Sequence, residues 1–169
     1  MSLQLLNTAP RNTAASHLRQ CCSSEEWVVR MLRQRPFSDS EALHAAADSA
    51  WIGLREQDYL EAFSGHPKIG DIRSLEKKYS DSSNFATSEQ SGVKSAPPDL
   101  LEKLSVANHA YEEKFGFIFI VCASGKNASE MLAILQDRLE RDRETELKTA
   151  CEQQRQIFHL RLDKFVCQK

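Results

Sequence analysis

One run in this chain, Phe117-Ile118-Phe119-Ile120-Val121-Cys122, has the length and the β-branched and aromatic content of a strand. A strand leaves its peptide groups unmet unless another strand pairs with it. Segments that could pair are scarce elsewhere in the sequence. The remaining apolar residues must therefore be buried by helices, and the chain is expected to be an all-α, single-domain helical bundle over residues 1–169. Residues 117–122 are expected to form one short buried extended segment, although periodicity alone does not separate that from a buried helical turn.

The helical elements announce themselves by their ends. Ser24 is placed to cap a helix carrying Trp27, Val28, Met31 and Leu32, which must stop before Pro36. Ser38-x-x-Glu41 reads as a capping box opening a helix to about Trp51, with Leu43, Ala46, Ala47 and Ala50 on one face. A further helix is expected from Glu56 to Ser64, stopped by Gly65. Pro97-Pro98 is the clearest internal break, and Pro98 suits the first turn of the next helix. That helix carries Leu101, Leu104, Ala107, Tyr111 and Phe115 at spacings of three and four, and Gly116 ends it. Asn127-x-x-Glu130 opens a helix through Met131, Leu135 and Leu139. The last helix should span about Glu144 to Phe165, with Leu147, Ala150, Cys151, Ile157, Phe158 and Leu162 inward.

Composition narrows the class. With 169 residues, 41% of them hydrophobic and 27% charged, the chain can build an ordinary core without staples. The net charge of −2, with Lys and Arg dispersed, offers no basic face for nucleic acid. The five cysteines are odd in number and contain no C-x-x-C, so neither a disulfide framework nor a zinc site is expected. There is no H-E-x-x-H, and no metal is expected. No apolar run approaches the roughly 18 residues of a membrane span. The first ten residues do not read as a signal peptide, and Val166-Cys167-Gln168-Lys169 is not a Ser-Lys-Leu address. A cytoplasmic location is expected.

Four short segments hold residues suited to chemistry. His66 lies on the turn of His66-Pro67-Lys68-Ile69-Gly70-Asp71, where Pro67 restricts it to extended backbone angles. Histidine is the side chain best matched to proton transfer near neutral pH, but bonding to the preceding helix's carbonyls is its commoner use in such a place. Ser88-Glu89-Gln90 joins an anion to an amide. A carboxylate near His66 would fix its tautomer and raise its pKa, whereas a solvated helix start is the plainer reading. Arg161, between Leu160 and Leu162, can fork onto a carboxylate or urea. Spacing alone favours a surface arginine whose stem covers the core. Cys122, in the apolar run, reads as a small buried hydrophobe. The histidines 17, 44, 109 and 159 sit mid-helix without partners at ligand spacing.

Taken in order, these segments resemble one family. His66-Pro67-Lys68-Ile69-Gly70-Asp71 is similar to its His-Pro-x-(Ile/Leu)-Gly signature. Phe85-Ala86-Thr87-Ser88-Glu89-Gln90 resembles its second motif, an aromatic followed by Ser-x-x-Glu-Gln. The stretch from Phe115 to Ala123 resembles its third, and Leu160-Arg161-Leu162 its C-terminal Leu-Arg-(Leu/Met). The family is the 2-oxo-4-hydroxy-4-carboxy-5-ureidoimidazoline decarboxylases, and the resemblance runs over essentially the whole chain.

The resemblance implies an all-helical homodimer that needs no cofactor and converts the ureidoimidazoline to (S)-allantoin in urate degradation. It implies that His66 and Glu89 are catalytic. It also implies that Pro67, Ala86, Ser88, Gln90, Phe119, Ile120, Val121, Cys122, Ala123 and Arg161 bind substrate, the 119–123 stretch largely through backbone groups. Ala86 stands where the family commonly has serine, so a hydroxyl contact is missing there unless Thr87 or Ser88 replaces it, and the backbone at 86 can still make contacts. Some family members are fused to a transthyretin-like hydrolase, an activity not expected in these residues. Two rival readings are a non-catalytic helical domain that binds a ureide and a metal-dependent hydrolase using His66 and Asp71. The set His66, Glu89, Gln90 and Arg161 argues against the first, and the absence of ligand spacing against the second.

Overall fold

The protein is described here by a computed structural model covering residues 2–68 and 96–167. The helices among the described residues are α1 (Leu3–Thr8), α2 (Arg11–Cys21), α3 (Glu25–Arg33), α4 (Ser40–Trp51), α5 (Glu56–Ser64), α6 (Pro98–Phe115), α7 (Ala128–Leu139) and α8 (Arg143–Cys167). No strand occurs among them, and the fold is all-α. The chain divides into two compact units, residues 1–65 with 154–169 and residues 66–153, the boundary falling inside α8.

In the first unit, α3 buries Trp27, Val28, Met31 and Leu32, positions that share one face of a 3.6-residue helix. Ser24 caps it by accepting from the Trp27 amide, Glu25 and Glu26 lie in its first turn, and Arg30 and Arg33 lie in its last, each sign at the favourable end of the dipole. The alanine-rich face of α4 (Ala46, Ala47, Ala50) has little bulk. The Trp27 indole can therefore approach closely enough to donate to the Ala47 carbonyl at 3.1 Å. Phe158 of α8 packs on Trp27 and edge-on to Trp51, with centroids 5.3 and 5.6 Å apart. Each such large apolar side chain contributes about 1.5–3 kcal/mol on burial.

Two local readings of the sequence are corrected here. The N-cap of α4 is Asp39, not Ser38. The Asp39 carboxylate accepts from the Ala42 amide at 2.7 Å, while Ser38 donates to Asp39. A charged acceptor makes the stronger cap where the two compete. Gly65 does end α5, but with right-handed backbone angles (φ −69°). Its need for glycine comes from close approach. Ser23 donates to the Glu61 and Ala62 carbonyls at the end of α5, and a Cβ on residue 65 would lie 2.0 Å from the Ser23 hydroxyl oxygen.

Helix α1, which the sequence reading did not anticipate, and α2, where it placed His17 in a helix without giving bounds, lie in a region tied down by polar contacts. Asn7 and Phe37 exchange two hydrogen bonds, and Arg35 donates to the carbonyls of Asn7 and Ala9 at 2.6 and 2.7 Å.

In the second unit, Pro98 opens α6 and Gly116 closes it with φ +77°, its amide bonded to the Glu112 carbonyl. Tyr111, Phe115, Phe117 and Phe119 form an aromatic cluster, the last three rings 4.6, 5.9 and 5.3 Å from Tyr111. The buried face of α6 is narrower than expected, because Leu101 and Ala107 are only half-buried and Asn108 is buried. Helix α7 has the expected capping box, with Asn127 and Glu130 exchanging bonds of 2.7 and 3.0 Å. At the start of α8, Leu147 and Cys151 are half-buried, whereas Glu146 is fully buried.

Gly65→Ala should destabilise the protein by about 1–3 kcal/mol through the clash with Ser23, read as a lowered urea midpoint, and Ser23→Gly should recover much of the loss. Burial pushes the Cys22 thiol from its ordinary 9.0 up to about 12. The unfolded chain then releases a proton above pH 9.0 that the folded chain keeps, so stability falls as pH rises through that window. Urea titrations at rising alkaline pH should show a shallower decline for Cys22→Ala than for the native chain.

Candidate active site

After Gly116 the chain enters a buried stretch without regular secondary structure, as the strand-like run implied. Phe117, Phe119, Ile120, Val121, Cys122 and Ala123 are all buried. Their peptide groups have no ladder, so they must find partners one at a time. Arg138 of α7 donates its Nη1–H to the Ile120 carbonyl at 2.8 Å. Gln153 of α8 accepts from the Cys122 amide at 2.9 Å, and Lys126 donates its ammonium to the Cys122 carbonyl at 2.8 Å. No described residue accepts a hydrogen bond from the amides of Phe119, Ile120, Val121 or Ala123. The segment is therefore an apolar-walled stretch of backbone, fixed at three points, with amide donors that no described residue meets.

The charge of Arg138 is balanced within the same unit. Its Nε–H donates to Glu146 Oε1 at 2.7 Å and its Nη2–H donates to the same oxygen. Glu146 also accepts from the Tyr111 hydroxyl. The guanidinium lies over the Phe119 ring, 4.8 Å from its centroid. Burial, with the neighbouring carboxylate, raises the Tyr111 pKa well above its usual value, so its hydroxyl stays a donor.

His66 is half-buried on the turn after α5, followed by a buried Pro67, and Lys68 pairs with Glu112 of α6. In the other unit, Arg161 is only 8% exposed, so it is not the surface arginine that spacing alone favours. Its Nη1 donates to the carbonyls of Gln20 and Cys21 at 3.4 and 3.3 Å, the C-terminal end of α2, where a cation is favoured. Ala86, Ser88, Glu89 and Gln90, together with Ile69, Gly70 and Asp71, lie outside the described residues.

The sequence reading missed two groups. Arg138 continues the Met131–Leu135 stripe by three residues, a spacing that would have shown it to face inward, yet its charge argued for the surface. His44 and His159 do have partners. Their Nδ1 atoms lie 2.5 Å apart, and their Nε2 atoms meet Asp163 and Asp48 at 2.8 and 2.7 Å. Residues 115 positions apart carry no sequence signal of that pairing. Among the described residues, no three His, Cys, Asp or Glu side chains are grouped to hold a metal ion. No described helix is long and apolar enough to cross a membrane.

Comparison with known proteins points one way. The chain is 38% identical over 150 residues to the uric acid degradation bifunctional protein TTL of Arabidopsis thaliana, an alignment covering 88% of this chain and 46% of that one. The chain thus spans under half the length of that relative. It is 30% identical over 129 residues to the 2-oxo-4-hydroxy-4-carboxy-5-ureidoimidazoline decarboxylase of Mus musculus, covering 76% of this chain and 72% of that one. Among solved structures it matches OHCU decarboxylase crystallised in the presence of (S)-allantoin, with a TM-score of 0.74, 33% identity, and coverage of 88% of this chain and 95% of that one. The OHCU decarboxylase family model matches residues 7–163, and the chain belongs to that family.

Proposed function

We propose that the chain decarboxylates 2-oxo-4-hydroxy-4-carboxy-5-ureidoimidazoline to (S)-allantoin, that residues 1–169 act as one catalytic domain, and that it works as a cytoplasmic homodimer without a cofactor. The observation that carries the reading is the buried 119–123 backbone, held at three points by side chains and with amides that no described residue meets. Family membership supports it.

The chemistry asks little beyond orientation. The bond between the ring carbon and the carboxylate breaks, carbon dioxide leaves, and the electron pair flows into the neighbouring imine of the substrate, whose nitrogen takes up a proton to leave an enol. The ring hydroxyl loses its proton as a carbonyl forms. The ureido-bearing carbon then takes a proton from one face. The protein must hold the carboxylate out of the ring plane, stabilise developing charge and choose that face.

In this reading His66 polarises the hydroxyl or moves its proton, and Glu89 orients and charge-stabilises the imidazole. Arg161 and Gln90 bind the ureido and ring polar groups, with Pro67, Ala86 and Ser88 lining the pocket. The amides of the Phe119, Ile120, Val121, Cys122 and Ala123 stretch act as preorganised donors, with those still unmet turned to the ring. The Cys122 amide, bonded to Gln153, instead fixes the direction of the stretch. Such donors work best where water is excluded, which the burial of these residues supports.

The test generates the unstable substrate in situ from urate with urate oxidase and hydroxyisourate hydrolase, and follows circular dichroism. The native chain should produce an (S)-allantoin signal well ahead of the slow racemic background. His66→Ala should lower turnover at least about a hundredfold. Near-native turnover by folded His66→Ala would remove the histidine from the mechanism, and no acceleration by the folded native chain would overturn the reaction.

A further inference from the structure

Deepening the proposed function, and resting on its premise that residues 119–123 face the substrate, we infer that Arg138 is a positioning residue for the reaction: from the core it aims the Val121 amide without meeting the substrate. A peptide unit is planar and trans, so its C=O and N–H point in opposite directions. The Ile120 carbonyl is fixed on Arg138 Nη1 at 2.8 Å, inside a core where Arg138 is 2% exposed. The Val121 N–H, on the far side of that same peptide plane, is thereby directed away from the core. No described residue accepts from it.

The same logic applies one and two peptides on. Gln153 fixes the Cys122 N–H and so turns the Val121 carbonyl. Lys126 holds the Cys122 carbonyl and so turns the Ala123 N–H. Of the three anchors, Arg138 is the rigid one. Its planar fork is set by Glu146 on one edge, by Phe119 beneath it at 4.8 Å, and by the Tyr111 hydroxyl 3.4 Å from Nη2. At Ile120 a flexible ammonium would fix the carbonyl's direction less tightly than this fork does.

A structural role alone would link activity to stability, so the test separates them. Replacing a buried ion pair by apolar residues of similar volume is often neutral for stability. The triple variant Tyr111→Phe/Arg138→Met/Glu146→Leu should therefore fold, melting below the native chain by no more than the loss of one buried hydrogen bond to the Ile120 carbonyl accounts for. It should nevertheless lose at least about tenfold in kcat, the scale of a misaimed transition-state donor. Cys122 should be alkylated faster, as mapped by peptide mass spectrometry, while Cys21 and Cys22 stay protected. Leu135→Ala, a core truncation on the same helix, should do the opposite, with a lowered melting temperature and kcat close to native. Should the triple variant not fold, Arg138→Lys keeps the charge opposite Glu146 and must show the same loss of kcat and gain in Cys122 labelling. A folded variant with native kcat, or with native Cys122 labelling, overturns the inference. If the native chain itself fails to turn over the ureidoimidazoline, the functional premise falls, and the inference about catalysis with it. The Cys122 labelling then still decides whether Arg138 holds the segment.

Discussion

A peptide group taken out of water must find a partner inside the protein, and an unmet one costs about 1–3 kcal/mol. Helices meet this demand internally. The 117–123 stretch does not, because it is buried and has neither a helix nor a sheet to share. Much of the second unit follows from that. Arg138 comes inward to meet the Ile120 carbonyl, and a buried guanidinium then requires a buried anion. Glu146 supplies it, and Tyr111 takes up further acceptor capacity on the same carboxylate. Removing one partner of such a pair typically costs about 3–5 kcal/mol, since the other is left charged in the core. The aromatic rings around Arg138 fill the space and let the cation lie on π faces rather than in an apolar void.

The first unit holds its buried cation, Arg161, by a different device. Arg161 sits one helical turn after Phe158 on α8, just beyond the Trp27–Phe158–Trp51 cluster. Its Nη1 meets the last carbonyls of α2, where the helix dipole favours positive charge. Part of the fork is thus used to hold the side chain in one rotamer. Long, flexible cations lose much entropy when a ligand orders them. One held beforehand by the protein loses less on binding.

The readable parts of this fold were the local ones. Asn127 and Glu130 name their helix start because both partners of the capping box lie within four residues. Pro98 and Gly116 bracket α6 for the same reason. The 117–122 run was legible as buried and non-helical because its composition says so. Its anchors were not, since Arg138 and Gln153 lie 18 and 31 positions away from the groups they hold. Gly65 was read as a helix stop, but its actual constraint is Ser23, a residue from another loop. His44 and His159 were read only as lacking ligand spacing, and the packing of α4 against α8 joins them. Where a residue's reason lies within a turn of the helix, the sequence carries it. Where the reason is a carbonyl across the core, it does not.

This distinction bears on how the proposed chemistry can be done without a cofactor. A helix offers free amides only in its first turn, and a sheet consumes its amides in the ladder. An irregular buried run is the backbone form that can present several consecutive donors to a small ring. Such a run is costly unless something else fixes it, and its donors help a transition state only if they do not reorient as charge develops. Side-chain anchors at Ile120 and Cys122 meet both needs. They satisfy the peptide groups that face inward, and by the planarity of the peptide they set the direction of those that do not. The ion pair buried behind the segment is in this light part of the catalytic geometry, although neither of its members need touch the substrate.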